Sequence, residues 1–560
     1  MAEVISVGNQ SFKSIREMGA FYIDKTKFIQ EWWESGDIVT LITRPRRFGK
    51  TLNLSMAECF FSKEYAESDN LFDGLDIWNN AEYQNLQGKF PVVFISFAGI
   101  KADNYEKARE GIIHIIISLY AKYQFLLQGS TLNIREKAYF DFVTPGMTDI
   151  EIAMSLNRLS LCMNRYYGEK VIILLDEYDT PLQEAYLYGY WDKMVLLVRA
   201  LFNYTFKTNP YLERGLVTGI TRISKESVFS DLNNIVVITT TSRQYAECFG
   251  FTEEEVFNAL EKRGLAIWKE KFKNWYDGFT FGGEKDIYNP WSVTSFLKEQ
   301  KLKTYWANTS SNNFVGQLVK EGTKRIKTAF EDLLAGKQIM AEIDEEIEFG
   351  QLRENDMAVW SLLLAAGYLK VDKEPEDEEN DVYWLSLTNY EVMKMFHKII
   401  KGWFSHTDTG YNDFVKSLMA GDIGYMNQFM NEVSERMFSV FDTGNKPSGR
   451  THPERFYHGF VLGLIVDLAG KYHIKSNRES GFGRYDIMLE PLSAELPAII
   501  MEFKVFNSAR EKSLEETVQN ALKQIKDKKY NTELISHGVP EERIYYYGFA
   551  FEGKKVLIGN

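Results

Sequence analysis

Four apolar runs in the first 221 residues constrain the fold most: 37–43 (DIVTLIT), 90–99 (FPVVFISFAG), 171–177 (VIILLDE) and 213–221 (ERGLVTGIT). Between them lie stretches of helical character, at 51–61, about 104–127, 149–167 and near 191–207. Near-continuous apolar strands alternating with helices indicate a parallel sheet covered on both faces. The first third is therefore expected to be an α/β layer.

The remainder follows different patterns. A chain of 560 residues suggests two to four domains. Residues of about 250–440 read as mostly helical and aromatic-rich. Within them, 324–404 has the helix–strand–hairpin–strand outline of a winged helix, and its acidic stretch 372–381 (DKEPEDEEND) reads as a solvent-exposed loop. An acidic wing is unsuited to reading DNA, so this part is expected to pack or act as a lid. From 451 onward the sequence predicts a helix (452–470), strands near 472–478, 484–491 and 497–505, a long helix (508–529), and strands at 543–551 and 554–559. The expected domains are 1–250, 251–450 and 451–560.

The net charge of −13 argues against a surface that binds nucleic acid throughout. The segment from Thr451 on holds 15 Lys+Arg against 15 Asp+Glu, so the deficit lies entirely upstream of it. Three widely spaced cysteines show no metal-ligand spacing and fit a reducing compartment. The N-terminus has no signal pattern and no apolar run is long enough to span a bilayer. The expectation is a soluble, cytoplasmic protein without a membrane partner.

Residues 43–51, TRPRRFGKT, join an apolar strand to a helix. Gly49, Lys50 and Thr51 match the end of a Walker A loop, in which backbone N–H groups and a helix N-terminus cradle phosphates, a lysine reaches the β/γ-phosphates, and a hydroxyl binds magnesium. Position 44, glycine in the full motif, is Arg44, and Arg46 and Arg47 add further guanidinium groups. Taken alone, GKT also fits a basic strand-to-helix turn. The later strand ending in Asp176 and Glu177 shifts the balance to ATP: the aspartate would hold the magnesium shell and the glutamate would orient a water. Thr218, at the end of the next strand, is placed to sense the γ-phosphate, and Arg222 to approach it in cis or from a neighbouring subunit.

Five stretches, YIDKTKFIQ, LITRPRRFGKTLNLSM, LLDEYDTPL, TGITRISKESVFSDLNNI and WYDGFTF…IYNPWSV, together resemble the bacterial AAA-ATPase-like family over about residues 5–300. In that family the RPRRFGKT form replaces the glycine-rich loop. The resemblance implies an AAA-type P-loop core, with Lys50 and Thr51 on the nucleotide and Asp176 and Glu177 around magnesium. Such cores often assemble, which makes a homo-oligomer one expected state.

Residues 499–504, IIMEFK, put a carboxylate and an ammonium on one face of an apolar strand, with Ile500, Glu502 and Lys504 in line. Upstream, Asp486 begins another apolar strand. Pairing the two would bring Asp486 and Glu502 together. Facing carboxylates repel unless a divalent cation lies between them, and such a cation polarises a phosphodiester and acidifies a bound water. Lys504 could orient that water. The same three residues could instead form an ion network without metal.

Asp486…Glu502-Phe503-Lys504 resembles the PD-(D/E)XK nuclease superfamily, over about 451–560. The resemblance implies magnesium or manganese at the site, a glutamate on the preceding helix completing the metal shell, here Glu454, and accessory phosphate contacts from Gln524 and Lys528; His458, four residues from Glu454, and Arg484 are further candidate contacts to nucleic acid. The combined expectation is an ATP-binding and ATP-hydrolysing protein coupled to a metal-dependent nuclease with DNA as its expected substrate; an RNA substrate stays open, because the site reads phosphates and no base-reading element is evident. The alternative is an ATP-dependent switch or scaffold whose nuclease-like domain only binds nucleic acid.

Overall fold

The structure is a computed structural model that describes residues 3–222, 228–229, 232–308, 315–316, 318–319, 323–334, 336–344, 352, 355–374, 382–402, 411–441, 461, 465, 468, 471–476, 479–480, 483–484, 486–508, 510–552 and 555–560. Contacts divide the chain into two compact units, Met1–Ser311 with Gly336–Met393, and Asn312–Ala335 with Lys394–Asn560.

The first unit is built on a parallel sheet of β1 (Val39–Thr43), β2 (Val92–Ser96), β3 (Val171–Asp176), β4 (Leu212–Gly219) and β5 (Ile235–Ile238), in the order β2-β3-β4-β1-β5. β1 and β3 are buried along their whole lengths, which is why both read as unbroken apolar runs. β4 lies between them, with Ile42 opposite Thr218. Ile42, Leu54, Ile172, Leu174 and Leu216 join a core with Phe28, Trp32, Phe60 and Phe61.

Helix α1 (Lys50–Phe61) starts directly after the loop, and Gly49 precedes it in the left-handed region at φ +84°. Among the elements that escaped the sequence reading are β5, and α2 (Thr180–Tyr188), which carries a proline in its first turn. The helix expected near 191–207 is α-helical over Trp191–Phe202 and closes in a π-helical turn, Asn203–Lys207.

The middle of the chain adds two antiparallel sheets to its helices. One has β6 (Phe251–Thr252), β7 (Phe279–Phe281) and β8 (Glu284–Tyr288), followed by α3 (Pro290–Glu299). The other has β9 (Ile339–Glu342), β10 (Leu369–Lys373) and β11 (Val382–Leu387), followed by α4 (Tyr390–Gly402). Asp372 and Lys373 belong to β10 rather than to the acidic loop, and 375–381 lie outside the described residues.

In the second unit, helix α5 (Ile423–Phe441) precedes a sheet of β12 (Tyr472–Ser476), β15 (Ile487–Pro491), β16 (Ala498–Val505), β17 (Ile544–Glu552) and β18 (Lys555–Gly559), in that order across the sheet. A two-stranded pair, β13 (Glu479–Ser480) and β14 (Gly483–Arg484), lies in the β12–β15 connection. β16 and β17 are parallel; the other pairings are antiparallel.

Helix α6 (Leu514–Asp527) packs Val518, Leu522 and Ile525 against Met488, Ile500 and Ala550. It begins six residues later than expected from the sequence, after Ser513. Along edge strand β18, Asn427 of α5 exchanges hydrogen bonds with the N–H (2.8 Å) and carbonyl (2.9 Å) of Ile558. Asn431, one turn on, does the same with Val556, at 3.0 and 2.7 Å.

Candidate nucleotide and phosphodiester sites

The loop 44–49 is held by side chains far away in sequence. Arg44 points inward and is fully buried. Its guanidinium donates to the carbonyls of Thr43 (3.0 Å), Thr239 and Gln244 (3.4 Å), and lies 4.7 Å from the centre of the Phe281 ring. It therefore stands apart from the pocket-lining guanidinium groups of Arg46 and Arg47, with which the sequence grouped it, because a guanidinium can be buried when carbonyl oxygens accept its N–H groups.

Pro45 packs against Gly367, where a Cβ would come within 2.8 Å of the proline ring and φ is +82°. Arg47 adopts φ +68° and stacks over Trp291 at 4.3 Å. Phe48 meets Phe279 and Phe281 edge-on. The turn that a glycine-rich loop makes by its own freedom is imposed here by tertiary contacts.

Lys50, almost fully buried, donates to the carbonyls of Arg44 (2.9 Å) and Pro45 (3.0 Å). Burial lowers its pKa, while the carboxylates of Glu177, Asp176 and Asp179 oppose that shift. The Thr51 hydroxyl donates to one oxygen of Asp176 at 2.9 Å, and Thr218 donates to the other at 2.8 Å. Burial pushes the Asp176 carboxyl up, and the Thr218 hydrogen bond pulls it back. Thr51 and Asp176 thus form an oxygen donor set that fits a hard divalent cation. Glu177, at φ +51°, turns out of the strand end to line the pocket.

That pocket has a volume of about 490 Å³ and is lined by Arg46, Arg47, Gly49, Lys50, Thr51 and Glu177, with Phe21, Phe251 and Trp291 among its apolar walls. Arg46 reaches Gln183 at 3.4 Å. Thr218 is fully buried beside Asp176 and is not part of the wall. Arg222 lines a separate small cavity with Thr43, Thr239 and Asp344.

The sequence reading missed Asp179 and Gln183. Asp179 accepts the N–H groups of Ile220 (2.9 Å) and Thr221 (3.1 Å), and Gln183 donates to it at 2.9 Å. Asp179 was visible only as the last acid of DEYD.

In the second unit, Ile487 pairs with Met501, so Asp486 stands at the end of β15 beside Glu502. The Phe503 N–H donates to Asp486 Oδ2 at 2.8 Å. Glu502 is 4% exposed. The Gln524 amide, coming down from α6, donates to Glu502 Oε1 and accepts from Lys504 Nζ at 2.6 Å.

Glu502 and Lys504 are the two charges of the otherwise apolar β16. They are covered by a helix and joined through one amide. Gln524 also donates to the Tyr530 hydroxyl at 3.0 Å, a residue the sequence reading did not single out; its only signal was the aromatic just past the helix end. Lys528 is exposed one turn beyond Gln524. Asp486 and Glu502 are a carboxylate pair of the kind that holds magnesium or manganese. Glu454, His458 and the Arg484 side chain lie outside the described residues.

These two constellations lie within spans that two family models match. Residues 6–229 match the AAA-ATPase-like family, described as a predicted AAA-ATPase. Residues 452–560 match the PD-(D/E)XK nuclease superfamily. The chain joins an AAA-ATPase-like domain to a PD-(D/E)XK nuclease-superfamily domain. It is also 28% identical over 391 residues to a protein of Azotobacter chroococcum mcd 1 described as an uncharacterized protein in the vnfD 5′ region, covering 69% of this chain and 68% of that one. At the level of these families, the findings support a general ATPase and nuclease-like function. Among the described residues no helix is long and apolar enough to cross a membrane.

Proposed function

We propose that this protein is an ATP-regulated, metal-dependent endonuclease acting on DNA. The observation that carries the reading is the meeting of Asp486, Glu502 and Lys504 at one sheet end, with Gln524 tying Glu502 to Lys504. Asp486 and Glu502 would hold the divalent cation, which when bound supplies Lewis acidity to the phosphodiester and its attacking water. Lys504 orients the water or meets the charge that develops on phosphorus. Gln524 fixes Glu502 and Lys504 relative to each other.

In the first unit, Lys50 would leave the Arg44 and Pro45 carbonyls for the β/γ-phosphates of ATP. Thr51 and Asp176 would hold magnesium, and Glu177 would position water. Arg46 and Arg47, at the pocket mouth, complement the triphosphate.

The test is cleavage of plasmid and single-stranded DNA with magnesium or manganese, with and without ATP, alongside Lys504→Ala and Lys50→Ala. Cutting that Lys504→Ala abolishes and that responds to Lys50→Ala supports the proposal. Binding of ATP and DNA with no cutting under any metal favours the switch. That second reading draws on the Lys504 ammonium being held by Gln524.

A further inference from the structure

The carbonyl of Arg46, in the middle of the phosphate loop, is gripped from two sides. The Trp306 indole N–H donates to it at 2.9 Å and the Asn289 amide at 3.3 Å. Both grips lead to the same carboxylate. Asn289 caps α3, its side-chain oxygen accepting the N–H groups of Trp291 (2.9 Å) and Ser292 (3.3 Å). The Ser292 hydroxyl then donates to Glu391 Oε2 at 2.8 Å. On the other side, the backbone around Trp306 is pinned by Glu391 Oε1, which accepts from the N–H groups of Tyr305 and Ala307, the latter at 3.3 Å.

Glu391 is 1% exposed and sits in the first turn of α4. A buried carboxylate is costly, and a merely apolar contact would have served packing better. This one is held because it ties two arms together. The division of the chain into two units falls within the same helix, between Met393 and Lys394.

We propose that Glu391 is a relay, passing the nucleotide state of the phosphate loop through Trp306 and Ser292 into α4. The relay rests on the nucleotide reading given above. Lys50 now donates to the carbonyls of Arg44 and Pro45, the two residues before Arg46. A phosphate that draws the ammonium away frees those carbonyls and lets the loop backbone shift. The Arg46 carbonyl carries Trp306 and Asn289 with it, and Glu391 receives both movements. Trp306, Ser292 and Glu391 are positioning residues; none of them lines the nucleotide pocket.

The test uses the full chain. Amide hydrogen exchange across 390–402 is measured with and without ATP and magnesium, with nucleotide affinity measured in parallel, for wild type, Trp306→Phe, Ser292→Ala and Glu391→Gln. Trp306→Phe removes the indole donor and keeps a ring against Phe279 and Tyr368, so it reports even if Glu391→Gln fails to fold. In wild type, ATP is expected to change exchange in α4 by about fivefold or more, the lower end of ordinary allosteric coupling. Trp306→Phe and Ser292→Ala are expected to bind ATP while losing most of that change. Variants that bind ATP and keep the full change overturn the relay, as does wild type that binds ATP without any change in α4. Wild type that binds no nucleotide overturns the nucleotide reading, and the relay falls with it.

Discussion

Lys504 donates its ammonium to the Gln524 side-chain oxygen at 2.6 Å, while the nitrogen of the same amide donates to Glu502. A glutamine on a helix therefore sets the distance between the carboxylate and the ammonium of the candidate nuclease site. Gln524→Ala is expected to slow metal-dependent DNA cleavage by roughly 10–100-fold, the usual cost of losing a residue that orients metal ligands. Gln524→Glu, which sets a second carboxylate against Glu502, is expected to be at least as damaging. Initial rates of plasmid nicking in manganese check both.

A divalent cation is expected to raise the thermal midpoint of the wild-type protein, since anything that binds the folded site and not the unfolded chain stabilises by mass action. Asp486→Asn removes one of the paired carboxylates and is expected to abolish that rise. Thermal scans across a manganese titration, without nucleotide, measure it. An equal rise in Asp486→Asn would mean that the cation binds elsewhere.

Arg44→Leu and Lys50→Ala are expected to separate stability from binding. Arg44→Leu leaves the carbonyls of Thr43, Thr239 and Gln244 short of a donor in a largely buried site, and each such group costs about 1–3 kcal/mol. Its urea midpoint should fall clearly. Lys50→Ala should lose ATP binding with a smaller change in midpoint, because it leaves two carbonyls rather than three and also removes an ammonium whose charged form burial disfavours.

Asp277 gives a pH dependence of known sign. Burial, and then the neighbouring Asp286 carboxylate, push its pKa up to about 7 from an ordinary 3.8. Lys273 sits among these acids, 2.5 Å from Glu253, 3.6 Å from Asp286 and 4.0 Å from Asp277, and moderates the shift. The folded state thus keeps a proton that the unfolded chain releases, and this contribution to stability is lost as pH rises from about 4 to about 7. Asp277→Asn should flatten that slope and be the more stable protein above about pH 7. Urea midpoints across this range test the sign.

The legible parts of the molecule are those whose signal is local. β1 and β3 read from sequence because burial on both faces leaves an unbroken apolar run, while Glu502 and Lys504 stand out because they interrupt the apolar run of β16, and Asp486 because it heads that of β15. β5 is four residues long and gains its meaning only by pairing with β1. The direction of Arg44 could not be read: sequence gives a charge, and only Thr239, Gln244 and Phe281 make an inward cavity for it. Trp306 and Gly367 support the phosphate loop from about 260 and 322 residues away, where no spacing rule connects them to it.

The two asparagines of α5 have a consequence for how this protein behaves in a crowded solution. An edge strand is an open template for another chain. Asn427 and Asn431 occupy that template at Ile558 and Val556, one helix turn matched to one pleat, so that two amide side chains do the work of a sixth strand. A polypeptide cut to begin at Thr451 would keep the whole sheet and its charged strand and lose this cover. Its β18 would then be free to recruit a second sheet, and the fragment should come off a sizing column as aggregates that the intact chain does not form.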